Sequence, residues 1–440
     1  MKKIVASVSL VAVSASGLQA ALLPGLTAES GKPFTVSATL RGFYDDNYNT
    51  LQNNVVLGPG QHRDSFGVEV SPSIEFTFPW EQTTLSFGYV YSYKYYEHAL
   101  GNSLSHDDNT HDFHAALTHA FSERYSVSIR DSFVIGQEPD FLRAGNTFTS
   151  FQRISGNNLR NYGEIDFSAQ LTPRFGLELG YANTLVSYAD NAWSETVSPI
   201  GIQASNSGVL DSLDHVIHLD GRYQLQPQTI GIVGVQFRET DYTGNQPIGV
   251  YADGTTPVMS NARNARSYYG YLGVDQNFRP DLTGSIRAGA RYSDYYNDPA
   301  DQNGASPYAM ASLKYTYLPE SYLVVGGSYD YSPSSVGASV NPVNGDINVG
   351  AQAGTIFASV VHRIIPKLFG SIQAQYQNTT YVGGFIDGQD ANFYLVGLNL
   401  RYQFTPNFSA EAGYNYDNLK SSVVGSYDRN RVYIGITGSY

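Results

Sequence analysis

The sequence predicts an all-β fold: a single transmembrane antiparallel β-barrel of about 18 strands, with short periplasmic turns and long extracellular loops. Three observations predict it. Apolar and polar residues alternate with period two through most of the chain, X-Pro turns recur at long and fairly even intervals, and aromatic side chains crowd the ends of the apolar faces.

The N-terminus sets the compartment. Lys2 and Lys3 precede an apolar run from Ile4 to about Ala15, followed by Gly17-Leu18-Gln19-Ala20. That is the layout of a secretory signal peptide over residues 1–20, and its apolar run is too short to span a bilayer comfortably. The mature chain is expected in the cell outer membrane of a Gram-negative bacterium, with residues 21–33 a short periplasmic segment and residues 34–440 the barrel. So short a leading segment excludes a plug domain.

Residues 34–46 read as the first strand. Tight turns then follow at Pro79-Trp80-Glu81, Ser122-Glu123-Arg124, Pro173-Arg174, Pro227-Gln228, Pro280-Asp281, Pro319-Glu320, Pro366-Lys367 and Pro406-Asn407. Proline presets φ at the second position of a type I or II turn, and polar neighbours complete it. The flanks alternate strictly. Phe66, Val68, Val70, Ile74, Phe76 and Phe78 share one face before Pro79, and Leu85, Phe87, Tyr89, Tyr91, Tyr93 and Tyr95 share it afterwards. Near the end, Tyr394, Val396, Leu398, Leu400, Tyr402 and Phe404 precede Pro406, and Phe408, Ala410, Ala412, Tyr414 and Tyr416 follow it. Eight hairpins give sixteen strands; 34–46 adds one before them and 431–440 one after, an even total with both termini at the short-turn end. Longer polar connections (47–62, 137–158, 189–212, 242–266, 332–350 and 383–391) lie at the other end.

Composition excludes the competing classes. With no cysteine there is no disulfide framework, thiolate metal site or thiol nucleophile. A net charge of −13 argues against a nucleic-acid partner. Charged residues are 15% of the chain, against about 25% in soluble domains. A mean hydropathy of −0.26 excludes a bundle of membrane helices. A soluble sandwich would alternate too, but its strands are usually about 5–6 residues long, and it has no reason to place tyrosine at strand ends. No Gly-x-Ser-x-Gly elbow, phosphate loop or HExxH is present, so neither an enzyme nor a cofactor is expected.

An Arg or Lys facing lipid at the midplane costs about 2–4 kcal/mol, so the parity of charged residues identifies the inward face. Arg41, Glu69, Glu75, Lys94, Arg130, Asp220, Arg222, Arg238, Arg287, Arg291, Arg401 and Glu411 fall opposite the aromatics and are expected to line a pore. Glu164, Asp166 and Glu178 share that parity. Such charges can set ion preference; the plainer reading is that pairs such as Asp220 and Arg222 neutralise and brace the wall. Asp131 breaks the rule, sharing parity with Val127, Ile129 and Phe133, through either a bulge or a local misassignment. The inward rings of Phe43, Tyr96, Tyr269, Tyr271, Tyr308, Phe357, Phe369 and Phe393 offer either a track for sugar rings or wall packing. His98, His106, His111, His114 and His119 lie close in sequence among Asp107, Asp108 and Asp112, but without recognised metal-ligand spacing, so a solvated loop is the better reading. The acidic loops at Asp45-Asp46, Asp107-Asp108 and 298–301 read as a hydrated rim.

The chain resembles the beta-barrel porin 2 family. The resemblance rests on Gly42-Phe43-Tyr44-Asp45-Asp46-Asn47 closing the first strand, Asp64-Ser65-Phe66 opening the second, tyrosine-rich strands between X-Pro turns, and a last strand ending Tyr-Ile-Gly-Ile-Thr-Gly-Ser-Tyr. It implies a porin, or an outer-membrane conduit for exopolysaccharide partnered by a periplasmic polysaccharide-export protein. Outer-membrane barrels of this kind end in an aromatic residue read by the barrel-assembly machinery; Tyr440 fits, with an added hydroxyl. The expected function is a water-filled channel for passive passage of hydrophilic solutes or polysaccharide, surrounded by outer-membrane lipid and lipopolysaccharide. The alternative is a non-conducting structural or adhesive barrel that works through its extracellular loops.

Overall fold

The structure, a computed structural model, describes residues 33–98, 105–137, 158–189, 194–198, 201–298, 300–334, 336, 340–341, 343 and 345–440. The signal peptide and the segment up to residue 32 lie outside the described residues, as does most of the loop expected at 137–158.

Eighteen strands form one closed antiparallel sheet. They are β1 (Phe34–Asp45), β2 (Ser65–Pro79), β3 (Thr83–Tyr96), β4 (Asp107–Ala120), β5 (Tyr125–Gly136) and β6 (Asn158–Gln170). Next come β7 (Phe175–Tyr188), β8 (Ser212–Gln226), β9 (Thr229–Tyr242), β10 (Ala265–Arg279), β11 (Leu282–Asp294) and β12 (Gly304–Leu318). The last six are β13 (Ser321–Ser332), β14 (Gly350–Ile365), β15 (Leu368–Val382), β16 (Asp390–Thr405), β17 (Phe408–Ser421) and β18 (Tyr427–Ser439). Every expected turn falls between consecutive strands, and each strand pairs with its sequence neighbour. The end strands differ slightly from expectation: β1 stops at Asp45, and β18 begins at Tyr427 rather than 431.

Closure depends on β1 meeting β18. Their register runs from Ser37 opposite Ser439 to Asp45 opposite Arg431. Val36 and Tyr440 exchange both backbone hydrogen bonds, at 3.0 and 2.8 Å, at the short-turn end. At the loop end, Arg429 Nε and Nη2 donate to the Asp45 carboxylate (2.5–3.0 Å), and both side chains are 1% exposed. Beside them, Asn430 donates to Asp46 through its backbone N–H (2.6 Å) and side-chain amide (2.7 Å), and Asn47 Nδ2 donates to the Asp428 carbonyl (2.9 Å). Asp45-Asp46 is therefore no hydrated rim: the run that ends the first strand locks the seam.

The outward face carries the apolar half of the alternation, with Val233, Leu272, Ile356 and Ile434 each more than 60% exposed. Near the short turns it carries exposed Trp80, Phe121, Phe278, Phe404 and Phe408. Toward the loop end a recurring device forms the second aromatic belt. A tyrosine donates its hydroxyl to a polar residue on the next strand, or just before it, two residues from its direct register partner. Tyr44 reaches Asp64 (3.2 Å), Tyr91 reaches Asn109 (2.5 Å) and Tyr93 reaches Asp107 (2.6 Å). Tyr329 reaches Gln352 (2.5 Å), Tyr376 reaches Asn392 (2.7 Å) and Tyr414 reaches Asn430 (2.6 Å). The diagonal neighbour across a sheet lies within reach of a long side chain, and a ring with a polar tip suits the membrane–water interface.

Asp131 lies on that outward face without a bulge, because the register of β5 with β4 and with β6 is unbroken. It accepts from Asn161 Nδ2 at 2.6 Å, and Asn183 Nδ2 donates to Asn161 Oδ1 at 3.1 Å. Asp131, Gly163, Asn183, His215, Glu239, Arg266 and Asp294 form one continuous register row across β5–β11, so the outward polar residues are grouped rather than scattered.

Removing one partner of a buried ion pair leaves an uncompensated charge, at a cost of about 3–5 kcal/mol. Asp45→Asn is therefore expected to open the seam and to lower the temperature at which the compact, heat-modifiable electrophoretic band is lost, whereas Asp253→Asn, in an exposed loop turn, leaves it unchanged.

Candidate functional site

The inward residues of β1–β5 form a charged wall that stays accessible. Arg41 bridges two neighbours, donating from Nε to Glu411 at 2.5 Å and from Nη1 to Glu69 at 3.4 Å. Glu69 also accepts from Ser92 Oγ at 2.8 Å, and Lys94 is its register partner. Glu75 meets His114 Nε2 at 2.9 Å, and Arg130 lies 3.4 Å from Glu164. The side chains of Arg41, Arg130 and Glu75 remain 32%, 31% and 41% exposed. Glu75 and His114, and likewise Arg41 and Glu411, reach one another because glycine stands between them. Glu75, Gly88 and His114 are consecutive in one register row, and a Cβ on Gly88 would lie 2.2 Å from the Glu75 carboxylate. Arg41, Gly435 and Glu411 repeat the arrangement.

From β6 onward the inward charges are covered. Arg222 pairs with Glu178 (3.2 Å) and Asp275 (2.7 Å), and Arg287 with Asp275 (3.3 Å). Arg238 pairs with Asp214 (2.7 Å) and Arg291 approaches Asp330 (3.7 Å). Arg287 and Arg291 are only 1% and 4% exposed. Asp220 and Arg222 share a face as expected but find different partners, since Asp220 accepts from Tyr271 Oη at 2.5 Å. Arg401 lies opposite Glu411 in register, with its guanidinium carbon 5.7 Å from the centre of the Phe369 ring. The twelve residues read as pore-lining share one face of the sheet; Arg41, Glu75 and Arg130 are the accessible ones, Glu69, Glu411, Arg222 and Arg238 are largely covered, and Arg287 and Arg291 are buried.

At the loop end the cover comes from the loops, whose cluster includes Tyr331, with its ring centre 5.4 and 5.0 Å from the guanidinium carbons of Arg238 and Arg291. Nearer the short turns the inward rings of Tyr269, Tyr271 and Tyr308 pack with Ile232 beside Asp220. At the loop end, the short helix Asn206–Leu210, the hairpin formed by Pro247–Val250 and Pro257–Met259, and residues 347–349 pack with Tyr295, Tyr331 and Ala265 into one apolar cluster. Its partly buried rim extends from Tyr188 on β7 to Val382 on β15. Arg263 fastens it. Wholly buried, Arg263 donates to the carbonyls of Val209 (2.6 Å), Ser334 (3.4 Å) and Val336 (3.2 Å), and lies 4.1 Å above the Tyr242 ring. No carboxylate pairs with it among the described residues, and burial pushes its guanidinium pKa below the ordinary value. A second apolar cluster joins Phe393, Leu395, Leu419 and Tyr427 to Ile386, Val423 and Val424. The inward face is therefore not polar throughout: at the loop end inward apolar residues meet infolded loops.

Side-chain contacts place two further groups of residues singled out in the sequence. Tyr96, Tyr269, Tyr271, Tyr308, Phe357 and Phe393 do point inward but are at least nine-tenths buried, so they pack the wall and offer no exposed track. The five clustered histidines diverge: His98 stacks on His62, His111 meets Tyr89, His114 meets Glu75, His119 meets Thr83, and His106 meets the Tyr96 carbonyl. His218 and Arg263 escaped the sequence reading. His218 has the parity of Asp220 and Arg222, which would have marked it; Arg263 lies in a loop, where parity says nothing.

Residues 253–440 match the model of the family described as "Putative beta-barrel porin 2", so the resemblance read from the sequence holds over that span. No curated protein is matched. Among solved structures, the chain is similar to a BenF-like porin from Pseudomonas fluorescens Pf-5, with 12% identity, 93% of this chain and 99% of that chain covered, and a TM-score of 0.44. It is also similar to OccAB4 of Acinetobacter baumannii (12% identity, 93% and 99% covered, TM-score 0.43). A third is the outer membrane protein opdK of Pseudomonas aeruginosa (12% identity, 92% and 99% covered, TM-score 0.40).

With Arg41 removed, Glu69 and Glu411 lose the guanidinium that neutralises them. Arg41→Gln is expected to shift the zero-current potential of the reconstituted barrel, under a salt gradient, toward cation preference.

Proposed function

We propose that this barrel is a passive conduit that carries small hydrophilic solutes across the outer membrane. The observation that carries this reading is the accessible charged wall of Arg41, Glu75 and Arg130, enclosed by a sheet with no free edge. Eighteen strands leave room for water at mid-height, and side chains that stay one-third exposed on the inward face need that water to solvate them. Polysaccharide passage has less support, because six of the eight inward rings that would stack on sugars are buried, and only Phe43 and Phe369 are partly exposed. Outer-membrane lipid and lipopolysaccharide are the proposed surroundings of the outward belt. The barrel-assembly machinery is the proposed reader of Tyr440, which is 71% exposed beside the seam. A periplasmic polysaccharide-export protein would be a partner only in the export variant of this reading.

The apolar roof favours a second reading: a barrel held shut, working as a structural or adhesive surface protein through its loops. Planar-bilayer recording separates the two. Discrete conductance steps are expected from the purified barrel, and their absence would support the second reading. Arg263→Ala, which unfastens three loop segments from one another, is expected to increase step size; an unchanged step would show that the roof does not limit flow.

A further inference from the structure

On the covered wall, the side chains of β6, β7 and β8 build an arrangement that the conduit does not require. Asp166, Gly180 and His218 are consecutive in one register row, and Glu178 and Asp220 face each other in the next. His218 is 4% exposed, and its ring lies across Gly180: a Cβ there would sit 1.9 Å from His218 Cε1. The ring is thereby aimed over β7 at the carboxylate on β6.

His218 Nε2 stands 4.0 Å from Asp166 Oδ1 and 3.9 Å from Glu178 Oε1. Both distances are too long for a hydrogen bond. They are near the spacing of donors that share one ion: two donors each about 2.1 Å from a tetrahedral metal lie about 3.4 Å apart, so each carboxylate would close by about half an ångström to bind one. His218 Nε2, Asp166 Oδ1 and Asp220 Oδ2 are all buried without a hydrogen-bond partner. Orphaned buried polar atoms are costly, and here three of them lie in two adjacent register rows.

Charge points the same way. Glu164, Asp166, Glu178, Asp220 and Asp275 are five carboxylates in this patch. With all five ionised and His218 neutral, Arg130, Arg222 and Arg287 offset three and leave two negative charges for a cation or protons to balance.

We propose that Asp166, Glu178 and His218 bind one divalent transition-metal cation of the zinc or manganese class, held in the barrel wall. Imidazole with two carboxylates suits such ions better than calcium, which takes six to eight oxygens. An ion there would join β6, β7 and β8 and satisfy His218 Nε2 and Asp166 Oδ1, which have no hydrogen-bond partner.

The test is titration of the folded, detergent-solubilised barrel with Zn2+ in competition with a chromogenic chelator. One tight equivalent is expected, weakened at least ~10-fold in His218→Ala and in the isosteric Asp166→Asn. Gly180→Ala removes no ligand but displaces the ring, and it is expected to weaken binding as well. The trio His62, Asp64 and His98, of which only His62 is exposed, is the competing zinc site, so His98→Ala should leave the tight equivalent intact. Heat-modifiable mobility confirms that each variant is folded. Tight binding retained in His218→Ala, lost in His98→Ala, or absent from the wild type would overturn the proposal. None of these outcomes depends on whether the barrel conducts.

Discussion

The structure depends on a single constraint: a backbone in lipid must satisfy all its hydrogen bonds within the protein. A sheet achieves this only by closing, and closing requires the first strand to find the last. The Asp45–Arg429 pair and the Asp46–Asn430 bonds hold that junction at the loop end, and the Val36–Tyr440 exchange holds it at the turn end. Once the sheet is closed, alternate residues must face lipid or the interior. The chemistry of every strand follows from that division.

The alternation was therefore the most legible feature of the sequence. Turns at Pro79, Pro173 and Pro406 fell where the structure has them, because proline can neither donate to the ladder nor extend a strand through a tight reversal. The parity of Arg41, Arg222 and Arg291 was legible for the same reason. Partner choice was not, since it depends on inter-strand register. Asp220 and Arg222 are neighbours on one face, yet Tyr271 and Asp275 lie closer to their polar ends. Asp131 looked like an error of parity and proved to be one member of an outward polar row, which appears only when seven strands are aligned.

Glycine supplies the missing rule. Where a register row reads charged residue, glycine, charged or polar residue, the outer two side chains meet across the bare middle strand. Glu75–Gly88–His114, Arg41–Gly435–Glu411 and Asp166–Gly180–His218 all follow this pattern. The glycines were visible as part of the polar face, but their use as passages between strands needed the pairing of β2 with β3 or of β7 with β8. Loop packing lay furthest from the sequence. Arg263 and the apolar clusters it fastens join segments far apart in the chain, and no local period announces them.

The central claim is that lipid lies outside and water inside, with the boundary crossed at every second residue. The chain has no native cysteine, so single cysteines can report each side without interference. Thr39→Cys and Leu40→Cys place adjacent thiols on the inward and outward faces of β1. In reconstituted vesicles, a water-soluble, membrane-impermeant maleimide is predicted to label residue 39, and a lipid-phase reagent residue 40. Equal labelling of both by the water-soluble reagent, or the reverse pattern, would contradict the account.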